Sequence, residues 1–208
     1  MVAKAMHNRT GKSGRVTKRA LQAINTRNRI YESATRLMKT NGFDNMTIEQ
    51  ISDAADVSVG AFYHHFGSKN EILNEIFKRA DDYFSENVLC RLAGETMAER
   101  IVSFFCHYAR FNIDLGVDHV SALFKTQSRI FVSSNRLMFT ALRDLISRAL
   151  ESGELASRLD PEEITELLLT TARGLTYNWC LYNGGFPLEK KMQRYMEFHV
   201  TALFAADH

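Results

Sequence analysis

Two short helix patterns meet across a tight connection between Thr47 and Lys69, and they constrain the fold of this chain more than any other feature. Thr47 lies three residues before Gln50, which is the spacing of a capping box at the start of a helix. Ser58 is a good N-cap for a second helix and follows the end of the first pattern by only a few residues. The spacing therefore predicts a helix-turn-helix.

The second of these helices is predicted to have two distinct sides. Phe62 and Phe66 lie one turn apart and would face the interior. The opposite side would carry Val59, Gly60, Tyr63 and His64. A glycine is costly inside a helix unless another molecule has to approach the backbone closely. This side is therefore a candidate contact surface.

A third helix pattern follows directly. Ser68 and Glu71 have the spacing of another capping box, which makes Lys69 the first residue of this helix. A lysine at that position gains nothing from the helix dipole, so its charge indicates an anion opposite. The apolar face of the helix continues to Phe84, so the helix is long enough to join the segment that follows.

The segment from about Thr26 to Phe84, with TIEQISDAADVSVGAFYHHFGSKNEIL at its centre, resembles the DNA-binding domain of the TetR family of bacterial transcriptional regulators. The family pattern has a Thr that opens the second helix, a recognition helix of the form V-S-x-G-x-[LF]-Y-x-[HY]-F, and an S-K pair that opens the fourth helix. The chain departs from the commonest form at Val59, where Lys is frequent, and at His64, where Tyr is frequent.

The resemblance implies a division of the motif between phosphates and bases. Thr47, Tyr63, His64 and Lys69 would contact phosphates. Ser58, Val59, Gly60 and Ala61 would lie at or near base edges. Because Val59 offers only apolar contact and Ser58 a single hydroxyl, we expect sparse direct readout and an affinity that comes mostly from phosphates.

Two plainer interpretations compete with DNA binding. Capping boxes occur in every helical protein, so the three helices could simply be a stable small fold; that explains the two phenylalanines but gives no packing reason for Gly60, Tyr63 and Lys69. His64 and His65 could suggest a metal site, yet no cysteine or acidic residue stands at ligand spacing. We therefore expect DNA binding, with no metal and no cofactor.

Charge is distributed unevenly along the chain. The first 84 residues hold 13 basic and 9 acidic side chains, a net charge of +4, and the remainder carries −2. Every charged residue before Glu32 is basic. We interpret residues 1–24 as a basic, flexible arm that could follow phosphates or enter a minor groove, although it could equally be a solvated tail. The segment VTKRALQAINTRNRI could instead extend the first helix backwards. Residues 25–84 would form the DNA-binding domain, with its motif at about 47–66.

Residues 85–208 are predicted to form a larger helical bundle. The helix that begins at Lys69, which is the fourth helix of the family pattern and is called helix 4 below, joins this bundle to the DNA-binding domain. Helical stripes recur there and β-like alternation is scarce, so the expected fold class is all-α. The three cysteines are too widely separated for a disulfide framework or a zinc ribbon. No apolar run approaches the ~20 residues of a membrane span, and the basic N-terminus lacks the apolar block of a signal peptide. We therefore expect a cytoplasmic protein.

The last two predicted helices are the best candidates for a homodimer interface. Both carry amphipathic stripes, and in TetR-like proteins they pair with their symmetry mates as a four-helix bundle. A dimer also doubles the base contacts on a pseudo-palindromic operator. The stripes could instead only close the core of the monomer. The candidate interface residues are Leu168, Leu175, Met192, Tyr195, Met196 and His199.

The resemblance also implies a small-molecule effector, of unknown identity, that binds in the second domain. Pockets between bundled helices are mostly apolar, although an aromatic stripe is more often plain core. The candidate ligand-binding residues are Phe104, Tyr108, Phe111, Phe124 and Trp179. By resemblance, the effector would tilt helix 4 and move the two recognition helices out of register with the grooves, provided that it binds the DNA-free conformation better.

The sequence as a whole predicts a homodimeric repressor that binds double-stranded operator DNA and is released by an effector. A first alternative is a constitutive DNA-binding or architectural protein whose second domain only dimerises. A second is a helical enzyme or a carrier of apolar ligands with a trihelical head. No nucleophile–base pair, metal-ligand cluster or Gly-rich phosphate loop stands out in residues 85–208, so we expect no enzymatic activity.

Overall fold

The structure is a computed structural model that describes residues 17–125, Ser133 and residues 136–204. The elements in these ranges are all helical, which confirms the predicted all-α class. The helices are α1 Lys18–Asn41, α2 Ile48–Ala54, α3 Val59–His65, α4 Asn70–Tyr83, α5 Met97–Leu115, α6 Val117–Lys125, α7 Leu137–Glu151, α8 Pro161–Leu181 and α9 Leu188–Leu203. A π-helical turn, Phe84–Val88, follows α4 directly.

The described residues divide into two compact units within α4. The first unit ends at Leu73 and the second begins at Asn74. The first unit therefore contains α1 to α3 and the first turn of α4, whereas the sequence-based boundary lies after residue 84.

Helix α1 begins within the segment that the sequence assigned to the arm. The side chain of Thr17 caps the helix by accepting a hydrogen bond from the N–H of Ala20 at 3.2 Å. Residues 18–24 are therefore helical, which differs from the flexible arm predicted for them. Residues 1–16, the rest of the arm, lie outside the described residues.

A small core holds α1, α2 and α3 together. Phe62 and Phe66 are fully buried, as predicted, with ring centroids 5.9 Å apart. The hydroxyl of Ser33 donates to the last carbonyl of α2 at 3.0 Å. The guanidinium of Arg27 donates to the carbonyl of His65 and lies 4.1 Å from the centroid of the Phe66 ring. These contacts tie α1 to the C-terminal ends of both helices of the motif.

The second unit is a helical bundle with one continuous core. Helix α5 packs on α9 and α7 packs on α8, while α8 also contacts α6 and α9. Helix α8 begins with a cap of its own: the Asp160 carboxylate accepts hydrogen bonds from the N–H groups of Glu162 and Glu163, and Pro161 is the first helical residue. The largest fully buried side chains of this core are Phe84, Phe104, Phe105 and Ile101.

No helix in the described ranges combines the length and the apolar character that a membrane span requires. The thiols of Cys90, Cys106 and Cys180 are all free, and Cys90 is exposed. The expectation that they form no disulfide framework holds for these three residues.

Candidate nucleic-acid interface and ligand cavity

The turn between α2 and α3 is built from local signals. The Thr47 hydroxyl accepts a hydrogen bond from the N–H of Gln50 at 3.2 Å, and the Gln50 side chain accepts one from the N–H of Thr47 at 3.0 Å, so the predicted capping box is confirmed. Asp56 then reverses the chain in the left-handed region, with φ of 52°, which aspartate tolerates better than most residues. Ser58 caps α3 by accepting from the N–H of Ala61 at 3.1 Å.

Helix α3 has a buried side and a solvent side. Tyr63 is 53% exposed and Val59 38% exposed, on the side away from the two buried phenylalanines. The Tyr63 ring meets the Phe62 ring edge-on, with centroids 5.7 Å apart. Of the eight residues predicted to contact DNA, the exposed ones are Thr47, Ser58, Val59, Gly60, Tyr63 and His64, and the partly buried ones are Ala61 and Lys69. Their individual contacts with phosphates or bases stay predictions.

Gly60 lies at the centre of this exposed side, and the fold does not require a glycine there. A Cβ atom at this position would meet only the Ser58 hydroxyl oxygen, at 3.8 Å, which is ordinary contact. Glycine within a helix usually costs about 0.5–1 kcal/mol relative to alanine. Packing therefore gives no reason for a glycine here, and its predicted place at the base edges stays a prediction.

The start of α4 differs from the prediction. The helix begins at Asn70, so Lys69 lies just before it. The Glu71 carboxylate accepts a hydrogen bond from the N–H of Gly67 at 2.9 Å. The carboxylate thus reaches back four residues, and the predicted box that pairs Glu71 with Ser68 is wrong in this detail.

Lys69 has an intramolecular environment that the sequence did not predict. Its ammonium donates to the backbone carbonyls of Phe43, Asp44 and Met46, at 3.0, 3.3 and 3.1 Å. It also lies 4.7 Å from the centroid of the Phe43 ring. An ammonium has three donors, so all three are used within the first unit. A phosphate contact by Lys69 would require the ammonium to leave or share these carbonyls.

A cavity of about 60 Å³ lies within the second unit, among α4, α5, α6, α7 and α8. Most of its lining is apolar, including Phe77, Phe111 and Phe139. The polar lining groups belong to Tyr108, Asn112, Ser133, Arg136 and Arg173. A pocket for a drug-sized ligand holds roughly 300–1,000 Å³, so an effector of that size has to widen this cavity.

Arg136 connects one wall of the cavity to α4. Its guanidinium donates to both carboxylate oxygens of Asp81, at 2.7 and 3.2 Å, and to the carbonyl of Phe77 at 3.4 Å. The guanidinium carbon also lies 4.9 Å from the centroid of the Phe77 ring. Arg136 stands immediately before α7, so this pair holds the N-terminus of α7 against the C-terminal half of α4.

Burial shifts the two other ionisable groups of the lining. Burial raises the pKa of the Tyr108 hydroxyl, while Arg173 and the side chain of Thr176 act in the opposite direction. Burial likewise lowers the pKa of Arg173; Tyr108 and Glu166 oppose this shift, and the like charge of Arg136 adds to it. The cavity lining therefore includes a neutral hydroxyl and two guanidiniums.

The structure brings only part of the predicted ligand-binding set to this cavity. Tyr108 and Phe111 line it. Phe104 is fully buried in the core, Trp179 packs beneath Gly184, and Phe124 meets the ring of Tyr177 at a centroid distance of 5.3 Å. For these three residues, plain packing explains the aromatic pattern, and none of them lines the cavity.

The predicted dimer residues require a correction. Four of them, Leu168, Leu175, Met192 and Met196, are buried in the core of the second unit and are not available to a partner. Tyr195 is 41% exposed and His199 is partly buried. Most of the residues predicted to contact a second copy therefore pack inside the core of one protomer.

Other apolar side chains of α8 and α9 face solvent. Leu167, Gly174 and Leu181 follow one another at intervals of seven residues along α8, and all three are exposed. On α9, Phe198 is 72% exposed and lies one turn from Tyr195. Helices of soluble proteins normally expose a polar face. These outer apolar faces are therefore candidate contact surfaces, in addition to the residues predicted from the sequence.

The described residues contain no group of three or more His, Cys, Asp and Glu side chains that could hold a metal ion. His64 and His65 lie side by side at the end of α3, with ring centroids 5.1 Å apart. Desolvation lowers the pKa of His65, and the charges of His64 and Arg27 add to this shift.

Comparison with known proteins agrees with the geometry of the first unit. Residues 30–76 match the model of the bacterial regulatory proteins, tetR family. The chain is 26% identical to the HTH-type transcriptional repressor KstR2 of Rhodococcus jostii (strain RHA1), with 93% of both chains covered. It is 21% identical to the probable acrEF/envCD operon repressor of Escherichia coli (strain K12), over 89% of this chain and 90% of that protein.

The fold resembles that of the transcriptional regulator FadR from Bacillus subtilis, solved in complex with stearoyl-CoA. The TM-score is 0.66 at 18% sequence identity, and the alignment covers 84% of this chain and 98% of that one. The helix-turn-helix geometry, the family match over residues 30–76 and the relatives that align along most of the chain agree: residues 30–76 match the tetR family of bacterial regulatory proteins, and the chain as a whole is similar to repressors that carry such a domain.

Proposed function

We propose that the chain is a transcriptional repressor that binds a pseudo-palindromic operator as a homodimer and is released by a small-molecule effector. The observation that carries the proposal is the solvent side of α3, where Val59, Gly60, Tyr63 and His64 are exposed beside a capped, tightly turned α2. Both full-length relatives described above are named as repressors. The chain would act in the cytoplasm, where its operator lies.

The outer faces of α8 and α9 support the homodimer. Leu167, Gly174 and Leu181 form an apolar stripe with a glycine at its centre, and a Cβ at Gly174 would meet nothing within 4 Å. A glycine in an apolar stripe lets a second helix approach closely. We propose that these faces, together with Phe198 and Tyr195, pair with the same faces of a second copy, as an isologous two-fold contact requires.

The operator can be found by selecting bound DNA from a random pool and then footprinting the selected sequence. We expect protection of two half-sites related by two-fold symmetry, because each protomer contributes one α3. Protection of one asymmetric half-site by a monomer would contradict the proposal.

A matched pair of variants tests whether α3 is the reading element. Val59→Glu places a carboxylate on the exposed side of α3, so it should abolish operator binding through repulsion by phosphates. Ile113→Glu makes the same change at a residue of similar exposure on α5, 42% against 38%, and should bind as the unsubstituted protein does. Equal binding by both variants would exclude α3 from the interface.

A further inference from the structure

The lining of the cavity in the second unit is mostly apolar, and its charged side chains are positive. Apart from Tyr108, the ionisable residues among the described lining are Arg136 and Arg173, and none of the described lining residues carries a carboxylate. Buried charges in proteins are normally paired. Asp81 pairs with Arg136 from α4, and the charge of Glu166 acts on Arg173.

Asp81 presents its carboxylate to Arg136 as an external acid would. Both carboxylate oxygens accept from the guanidinium, and the Arg136 and Asp81 side chains are only 15% and 23% exposed. A guanidinium makes such paired hydrogen bonds with oxyanions, of which the planar carboxylate is one. Arg136 therefore already holds a carboxylate at the edge of the cavity.

Arg173 provides a second guanidinium on the opposite helix, α8. Both arginines line the same cavity, and Arg173 donates to the hydroxyl of Thr170 at 2.9 Å. An anion that lies between two guanidiniums is attracted by both of them. Phe77, Phe111 and Phe139 line the rest of the space with apolar surface.

We propose that the cavity binds an apolar carboxylic acid as its anion, whose carboxylate lies between Arg136 and Arg173 and replaces Asp81 on Arg136. This inference rests on the proposed function, because it names the chemical class of the effector. The hydrocarbon part of the acid occupies and widens the space lined by the phenylalanines. When the acid takes over Arg136, Asp81 loses its partner and α4 loses its ion pair with the start of α7.

Titration calorimetry of the full chain, without DNA, tests the chemical class. The probes are octanoate and 4-phenylbutyrate, each compared with its primary amide, together with octylamine. We expect at least one acid to bind at least about tenfold more tightly than its amide, since hydrogen bonds to charged groups are the strong ones, and we expect no binding of the amine. Binding of neither acid, or equal binding of acids and amides, would overturn the proposal.

Two substitutions test the geometry in opposite directions. Arg173→Gln should weaken binding of the acid by about tenfold or more while leaving the amide unchanged. Asp81→Asn should tighten acid binding several-fold, because Arg136 no longer has a charged competitor within the protein. A gain in affinity cannot come from misfolding. Arg143→Gln, a partly exposed arginine of α7 that pairs with Asp144, should behave as the unsubstituted protein does.

A separate arm keeps the two proposals distinguishable. The acid that binds is added to the complex of the protein with its selected operator, and release is followed by fluorescence anisotropy. Calorimetry decides the chemical class, and anisotropy decides whether binding regulates DNA. An acid that binds without release would refute the effector role in the proposed function but not the carboxylate site. If the protein binds a symmetric operator but binds none of the acids, the carboxylate site is refuted and the DNA-binding proposal is not.

Discussion

Lys69 shows how one side chain can match a family pattern and still have a structural task. The pattern assigns it to a phosphate, whereas the structure places its ammonium on the carbonyls of Phe43, Asp44 and Met46. These carbonyls belong to the connection between α1 and α2. Lys69 therefore holds this connection against the start of α4.

Lys69→Met should lower the free energy of unfolding by about 1–3 kcal/mol, because two partly buried carbonyls and one exposed carbonyl lose their donor. Urea unfolding followed by circular dichroism measures the change. The control is Lys78→Met, at an exposed position of α4, which should stay within about 0.5 kcal/mol. The phosphate role would be favoured instead if Lys69→Met keeps full stability and the slope of log K for DNA binding against log salt concentration becomes shallower by about one unit.

Tyr63 is the clearest candidate for a pure phosphate contact. Its ring is supported by Phe62 and more than half of the residue is exposed. Tyr63→Phe removes only the hydroxyl, so stability should not change, while affinity for specific and non-specific DNA should fall about equally, by roughly 3- to 10-fold. Anisotropy titrations on the operator and on a scrambled duplex measure both losses. A loss confined to the operator would indicate a base contact.

At the scale of elements, the motif could be predicted closely because its signals are local. The Thr47–Gln50 box and the Ser58 cap involve residues three apart, and the structure confirms both. The start of α4 was less predictable, because the Glu71 carboxylate could close a box with Ser68 or reach back to Gly67. The two arrangements satisfy the same kind of donor, and the loop geometry decides between them.

Gly60 separates the stability of α3 from its function. Gly60→Ala should leave the fold unchanged or stabilise it by up to about 1 kcal/mol, since the added Cβ meets only ordinary contact and alanine is the better helix former. The same methyl group would stand where DNA has to approach, so operator affinity should fall. Thermal unfolding and anisotropy on one protein sample measure the two effects. Unchanged DNA affinity would remove this part of α3 from the interface.

At the scale of the whole molecule, the outer face of α8 could not be read from periodicity. Leu167, Leu168 and Leu169 are consecutive, and each of them fits an apolar face with helical periodicity, so the pattern does not show which face is buried. Only packing shows that Leu168 and Leu169 face the core while Leu167 faces solvent. The cavity was hidden for a related reason, because Asp81 and Arg136 are 55 residues apart in the sequence and no local spacing connects them.

Phe198→Glu tests the proposed pairing face. Phe198 is 72% exposed in the protomer, so the fold should tolerate the change, whereas two buried carboxylates facing each other across a two-fold axis should prevent dimerisation. Sedimentation velocity should show a monomer, with Ile113→Glu remaining a dimer as the control. A dimer that persists in Phe198→Glu would exclude this face.

The short side chains at the start of α3 affect how such a protein finds its site in a genome. Ser58, Val59, Gly60 and Ala61 together offer a single hydroxyl to the bases, while a genome presents on the order of a million or more competing positions. A two-fold dimer can compensate because the fixed distance between its two α3 helices selects half-sites at one spacing. One base pair inserted between half-sites moves one of them by about 3.4 Å and turns it by about 35°. The base sequence of the operator should therefore vary more freely during evolution than the spacing between its two half-sites.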